Sequence, residues 1–180
     1  MLTRICSAAF VAVVALTGCQ SPPVNRSPAT PLVSVASVDL ARYTGRWYEL
    51  ARFPNSFEEE CVGVTATYSR NANGSIKVLN RCLLKTLSGK ESIAEGSARV
   101  VDTSTNAKLA VTFFWPFEGD YWVIALEPEY KWAIVGEPSG RYLWILSRTP
   151  QVPDDVKADL LSRIEALGYN TKALYWTPQS

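Results

Sequence analysis

The sequence predicts an all-β fold with one C-terminal helix, arranged as an eight-stranded antiparallel up-and-down β-barrel. Three observations carry that prediction: short β-prone segments recur from Asp39 to Thr149, links of hairpin length separate them, and a single segment of helical period follows. The strands are read at 47–53, 62–69, 75–84, 92–101, 107–115, 120–126, 131–136 and 141–148. Gly74, Gly89, Asn106, Gly119, Pro128 and Gly140 punctuate them. A meander of this length closes on itself, because closure removes exposed strand edges. Pro153-Asp154-Asp155 then opens a helix with Val156, Leu160, Leu161, Ile164 and Leu167 at helical spacing, and Gly168 stops it. Ala173-Leu174-Tyr175-Trp176-Thr177 reads as a ninth strand.

Composition narrows the function. The 180 residues suit one domain, and 47% hydrophobic residues with six Trp, eight Tyr and six Phe exclude a disordered chain. Lys+Arg at 18 against Asp+Glu at 17, with no basic run, leaves no electrostatic footprint for nucleic acid. There is no His, which excludes Ser-His-Asp and Cys-His catalysis and most zinc sites, and no cofactor is implied.

Met1-Leu2-Thr3-Arg4, an apolar stretch from Ile5 to Leu16, and Thr17-Gly18 before Cys19 form the charged, apolar and small-residue order of an export signal. That stretch falls short of the roughly 20 residues a membrane-spanning helix needs. Leu16-Thr17-Gly18-Cys19 resembles the lipobox of bacterial lipoproteins, which implies a signal at 1–18 and an acylated Cys19 as the membrane anchor. Gln20 after the Cys is what that resemblance associates with the outer membrane of a Gram-negative cell, the domain facing the periplasm. Residues 19–38, with Pro22, Pro23, Pro28 and Pro31, read as a Pro/Ser-rich tether; as a free coil it would span roughly 25 Å. The barrel, helix and final strand occupy 39–178.

Cys61 and Cys82 remain in an oxidising compartment, where an even pair favours a disulfide over a free thiol. They flank Asn71-Ala72-Asn73-Gly74, whose Asn-Gly step is a strong hairpin signal. A turn there brings the two cysteines to nearby, slightly offset cross-strand positions.

Gly45-Arg46-Trp47-Tyr48-Glu49-Leu50-Ala51-Arg52-Phe53 resembles the Gly-x-Trp signature that opens the lipocalin barrel. Leu143-Trp144-Ile145-Leu146-Ser147-Arg148-Thr149-Pro150 resembles the strand that carries that family's closing Arg, and Val123–Tyr130 its middle motif, with Glu129 where Asp is more usual. With Thr65-Ala66-Thr67-Tyr68 and the late helix, the similarity to lipocalins runs from about Val38 to Trp176, nearest to the bacterial outer-membrane members. It implies that Gly45, Trp47 and Arg148 close one end of the barrel, Arg148 lying across the indole.

Alternation from Arg148 puts Leu146, Trp144 and Tyr142 on the inner face. The resemblance adds Val64, Ala66 and Tyr68, then Val78 and Asn80, then Leu109, Val111 and Phe113, then Tyr121, Val123 and Ala125, leaving Trp122 outside. Such a lining, apolar with a few hydroxyls and one amide, suits an acyl chain with a small polar anchor. Phe57, Phe114, Trp115, Phe117 and Phe53 lie near loops and form a candidate aromatic rim or, equally, a docking patch for a partner.

The expected function is storage or transport of fatty acids or lysophospholipids at the outer membrane, in envelope stress or membrane maintenance, without chemistry; a homodimer is compatible with it. One rival is a lipocalin-type enzyme recruiting a free Cys82 or the pair Glu58 and Glu59, although Glu58-Glu59-Glu60 reads as a solvated charge run. The other is a barrel embedded in the outer membrane itself.

Overall fold

The computed structural model describes residues 21–29 and 31–180; the signal sequence and Cys19 lie outside the described residues. A short helix α1 (Leu40–Tyr43) precedes strands β1 (Gly45–Arg52), β2 (Cys61–Arg70), β3 (Ile76–Leu84), β4 (Glu91–Val100), β5 (Lys108–Phe114), β6 (Phe117–Leu126), β7 (Trp132–Gly136) and β8 (Leu143–Ser147). Helix α2 (Asp154–Ala166), one 3₁₀ turn (Thr171–Ala173) and strand β9 (Tyr175–Trp176) follow. Each of the eight predicted strands is found, and neighbours in sequence pair antiparallel.

Two further pairings close the barrel. β1 lies against β8, Tyr48 opposite Ser147 and Arg52 opposite Trp144, and its first half pairs with β2 from Gly45↔Tyr68 to Tyr48↔Thr65. Beyond Tyr48 β1 and β2 part, and the C-terminal segment fills the gap. Ala51 pairs with Trp176, the Thr177 amide donates to the Leu50 carbonyl at 3.0 Å, and the Gly63 amide donates to the Pro178 carbonyl at 2.8 Å. Gln179 Nε2 spans the seam, donating to the carbonyls of Glu49 (2.8 Å) and Val64 (2.9 Å).

Two apolar clusters hold the fold. One fills the barrel around Trp47, Tyr68, Val78, Leu109, Val123, Val135 and Leu146. The other lies outside it, where Leu160 and Ile164 of α2 pack on Ile134, Leu143 and Ile145 of the wall. Because the helix covers its outer face, β7 is buried on both sides, which explains its unbroken apolar run. Burying each α2 anchor fully contributes about 1.5–3 kcal/mol. Gly168, at φ +84°, ends the helix as expected, its amide donating to Glu165 and that of Tyr169 to Ile164.

Elsewhere the outer wall is polar. Lys77 pairs with Glu95 at 3.0 Å, Arg81 with Glu91, and Arg99 with Glu118. That surface does not match the apolar outward band of a barrel immersed in lipid.

The tether expectation needs correction for the described residues. Residues 21–29 and 31–38 are not a free coil but lie as a strap along the barrel. Asn25 donates its amide to the Gly140 carbonyl, Ser27 to Gly168, Val35 to Val123 and Val38 to Thr105. Leu32 and Val35 add apolar contacts, one to each cluster. Proline disfavours helix and ladder, but an extended chain can still be pinned through its intervening amides.

Candidate functional site

The barrel has a closed and an open end. At the closed end the Trp47 side chain is fully buried, and its Nε1 donates to the Tyr43 carbonyl at 2.8 Å. The Arg148 guanidinium lies 3.7 Å from the Trp47 ring centroid. It also donates to the carbonyls of Arg42 (2.7 Å), Thr44 (3.0 Å) and Arg46 (2.8 Å), so one cation ties down both the end of α1 and the start of β1. Gly45 sits at φ +94°, and a Cβ there would meet Arg148 Nη1 at 3.4 Å. Gly45, Trp47 and Arg148 are thus brought together, with Arg148 lying across the indole. Asp39, which caps α1 by accepting from the Ala41 amide at 2.8 Å, was a local signal that the sequence reading left unused.

Above the plug sit three tyrosines. The Tyr121 hydroxyl is 2.9 Å from those of both Tyr43 and Tyr68. Burial raises all three phenols, Tyr68 to about 12, so they stay neutral and act as a hydrogen-bonded floor. The cavity among Tyr43, Tyr68, Ile76, Leu109 and Tyr121 holds about 20 Å³, room for one water and not for an acyl chain.

The upper half is different. β4 places Ser92, Ala94, Gly96 and Ala98 inward, opposite Cys82, Asn80, Val78 and Ile76 of β3. Ala98 is buried, yet Gly96 is half-buried and Ala94 and Ser92 are exposed. Inward-facing residues that meet solvent line an open cup. Val111 and Phe113, Asn80, and Tyr142 and Trp144 are likewise half-buried on this face. The Tyr142 ring stacks on Trp144 at 5.9 Å and touches Phe57 at 5.7 Å, an aromatic ladder from the rim inward. Asn80 Oδ1 has no hydrogen-bond partner among the described residues.

Of the inner-face residues read from sequence, Ala66, Tyr68, Val78, Leu109, Val123 and Leu146 join the lower cluster, with Val111, Phe113, Tyr121 and Trp144 against it. Val64 is buried on the same strand. Ala125 does not point inward: a bulge between Val123 and Ala125 flips the parity, moving Ala125 to the helix-covered outer cluster and Leu126 inside. Trp122 is outside as expected. Phe53 is also not part of the rim; it is buried against Tyr169 under the helix side of the wall. The inward small residues of β4 escaped the sequence reading. Their signal, small side chains at every second position of 92–98, carries no hydrophobic alternation.

At the mouth Glu59 and Glu60 are exposed as the expected charge run would be, but Glu58 joins a polar cluster. Glu58 Oε2 accepts from Asn55 Nδ2 at 2.7 Å and from Trp144 Nε1 at 3.1 Å, and Arg52 Nε lies 3.9 Å away. Glu58 is thus folded against the inner wall. Glu49 is buried, paired with Arg52 Nη1 at 2.6 Å and accepting from Thr177 Oγ1 at 2.5 Å. Burial, and then the nearby Glu58 charge, push its carboxyl up to about 8. An i,i+3 Glu-Arg pair inside an apolar strand was the available sign of it.

Cys61 and Cys82 form a disulfide, with Cα atoms 5.4 Å apart. That removes the free Cys82 thiol an enzymatic reading would recruit. Among the described residues no three His, Cys, Asp or Glu are gathered to hold a metal.

A barrel sealed at one end, wet and aromatic at the other, is a container for one small hydrophobic molecule. Residues 38–179 match the family described as lipocalin-like domain, and the chain belongs to the lipocalins. It is 40% identical over 172 residues to the outer membrane lipoprotein Blc of Escherichia coli strain K12, covering 96% of this chain and 94% of that one. It is 41% identical over 155 residues to temperature-induced lipocalin-1 of Arabidopsis thaliana, covering 81% and 82%. Among solved structures, insecticyanin of the tobacco hornworm Manduca sexta superposes with a TM-score of 0.67 at 20% identity, covering 88% of each chain, which is a likeness of fold. Membership implies binding of small hydrophobic ligands.

Proposed function

We propose that this protein is an outer-membrane lipoprotein that holds one fatty acid or lysophospholipid in the open half of its barrel, in the service of membrane maintenance. The observation that carries this reading is the exposure of inward-facing Ser92 and Ala94, which marks a cup above the tyrosine floor. The likeness to the outer membrane lipoprotein of Escherichia coli supports the address, as does the Leu16–Cys19 lipobox, whose acylated Cys would tie the domain to the periplasmic face.

Of the two ligands the mouth favours the lysophospholipid. Its inward carboxylate is that of Glu58, which accepts from Asn55 and Trp144 and lies 3.9 Å from Arg52 Nε. A fatty-acid carboxylate would add a second negative charge beside Glu58, whereas a zwitterionic headgroup adds no net charge, its ammonium offsetting its phosphate.

Native mass spectrometry of the protein with an equimolar mix of fatty acids, lysophospholipids, retinoids and haem tests this. One stoichiometric lysophospholipid, lost in Trp144→Ala, is expected. A retinoid or haem adduct in its place would refute the ligand class, and no adduct would mean that the protein's own side chains fill the interior.

A further inference from the structure

The loops at the open end carry large apolar side chains in water. Phe114 is 80% exposed, Trp115 88% and Phe117 76%, all at the tip of the β5–β6 hairpin. Phe57, in the β1–β2 loop, is 63% exposed, and Leu87, in the β3–β4 loop, 42%. Single exposed apolar residues need no explanation, but three consecutive loops at one end of a barrel form a surface. The closed end, by contrast, exposes Val101 and is otherwise polar or capped by Arg148.

The strap fixes where the membrane must be relative to that surface. Arg141, in the β7–β8 loop of the open end, donates to the Pro22 carbonyl. The Asn25 amide donates to Gly140 in the same loop at 2.9 Å, and the Asn170 amide donates back to the Asn25 carbonyl at 2.8 Å. Cys19 precedes Pro22 by three residues, so even a fully extended chain keeps its Cα within about 11 Å of Pro22. An acyl group on Cys19 therefore enters lipid beside the mouth. A 19-residue free coil would have left the orientation open; the pinned strap does not.

We propose that the open end of the barrel docks on the lipid surface, the Phe114-Trp115-Pro116-Phe117 tip lodged in the interfacial layer, so that ligand passes between bilayer and cup without crossing water. Trp and Phe at the depth of the headgroups are the residues that favour that layer. Beside the tip Arg99 holds Glu118 through Nε at 2.9 Å and, among the described residues, no basic cluster flanks the aromatic residues, so the docking rests on the apolar side chains and not on anionic lipid. This inference rests on the lipoprotein reading for its anchor, and the experiment separates the two.

The mature protein, extracted from membranes and reconstituted into phosphatidylcholine–phosphatidylethanolamine vesicles with brominated acyl chains, is compared with its Trp115→Phe variant. Brominated lipid is expected to quench a component of the tryptophan emission that Trp115→Phe lacks. A Phe114→Ser, Trp115→Ser, Phe117→Ser variant should take up lysophospholipid from vesicles at least tenfold more slowly, while binding monomeric lysophospholipid with unchanged affinity. An acylated, vesicle-bound protein whose quenching is the same with and without Trp115 overturns the docking and leaves the anchor standing. An unmodified Cys19 with Trp115 still quenched overturns the anchor and leaves the docking. Neither acylation nor quenching overturns both.

Discussion

Replacing Trp47 with Ala removes an indole that is fully buried, donates to the Tyr43 carbonyl and bears the Arg148 guanidinium at 3.7 Å. Truncating a core Trp costs about 3–5 kcal/mol, and the cation-π share of that is about 0.5–2 kcal/mol. For a domain of this size each kcal/mol lowers Tm by about 2–4 °C, so Trp47→Ala should melt about 6–20 °C below the parent. Against a typical total of about 5–15 kcal/mol the variant still folds in the cold. The assay is calorimetry on Trp47→Ala, Arg148→Met and the double variant. The double should be less destabilised than the sum of the singles by about 0.5–2 kcal/mol, because each single already breaks the stacked pair. Ligand preference should not change, since the tyrosine floor separates the indole from the cup. A Trp47→Ala melt indistinguishable from the parent, or strict additivity with Arg148→Met, would refute the plug.

Filling the cup should abolish binding without harming the fold: Ala94→Trp is expected to lose lysophospholipid in native mass spectrometry with a melt near the parent's, and retained binding would place the ligand elsewhere. Breaking the Cys61–Cys82 bridge, with a separation of 21 residues, should cost about 3 kcal/mol, seen as a matching Tm loss from reductant and from Cys61→Ala with Cys82→Ala. Glu49 titrates near 8 when folded against about 4.3 when unfolded, so its stabilising contribution is complete below about pH 4.3 and lost as pH rises through 8. Glu49→Gln should flatten the decline in Tm between about pH 4.3 and 8; an identical decline in parent and variant would show that another group is responsible.

The strands, the hairpin at Asn73-Gly74, the helix from Asp154 and the Trp47–Arg148 plug were legible because each has a local signature: alternation, a turn dipeptide, a capped period, a motif at each end. Ala125 was misplaced because a bulge inserts one residue into a pattern of period two, and nothing in Val123–Leu126 announces it. The strap was read as coil because its order comes from amides reaching Gly140, Gly168, Val123 and Thr105, partners more than sixty residues away. Glu58 looked solvated because its neighbours Glu59 and Glu60 are; what turns it inward is Trp144, 86 positions on. The cup was hidden for the opposite reason, since β4 marks it by what its side chains lack.

The seam between β1 and β2 sets a timetable. Leu50 and Gly63 wait for Thr177 and Pro178, so a chain synthesised from its N-terminus keeps those two strand edges unpaired while more than a hundred residues follow. Throughout that interval the half-built sheet is a template for any passing strand. An escort that covers strand edges during synthesis would matter most to the part of this protein that is made first.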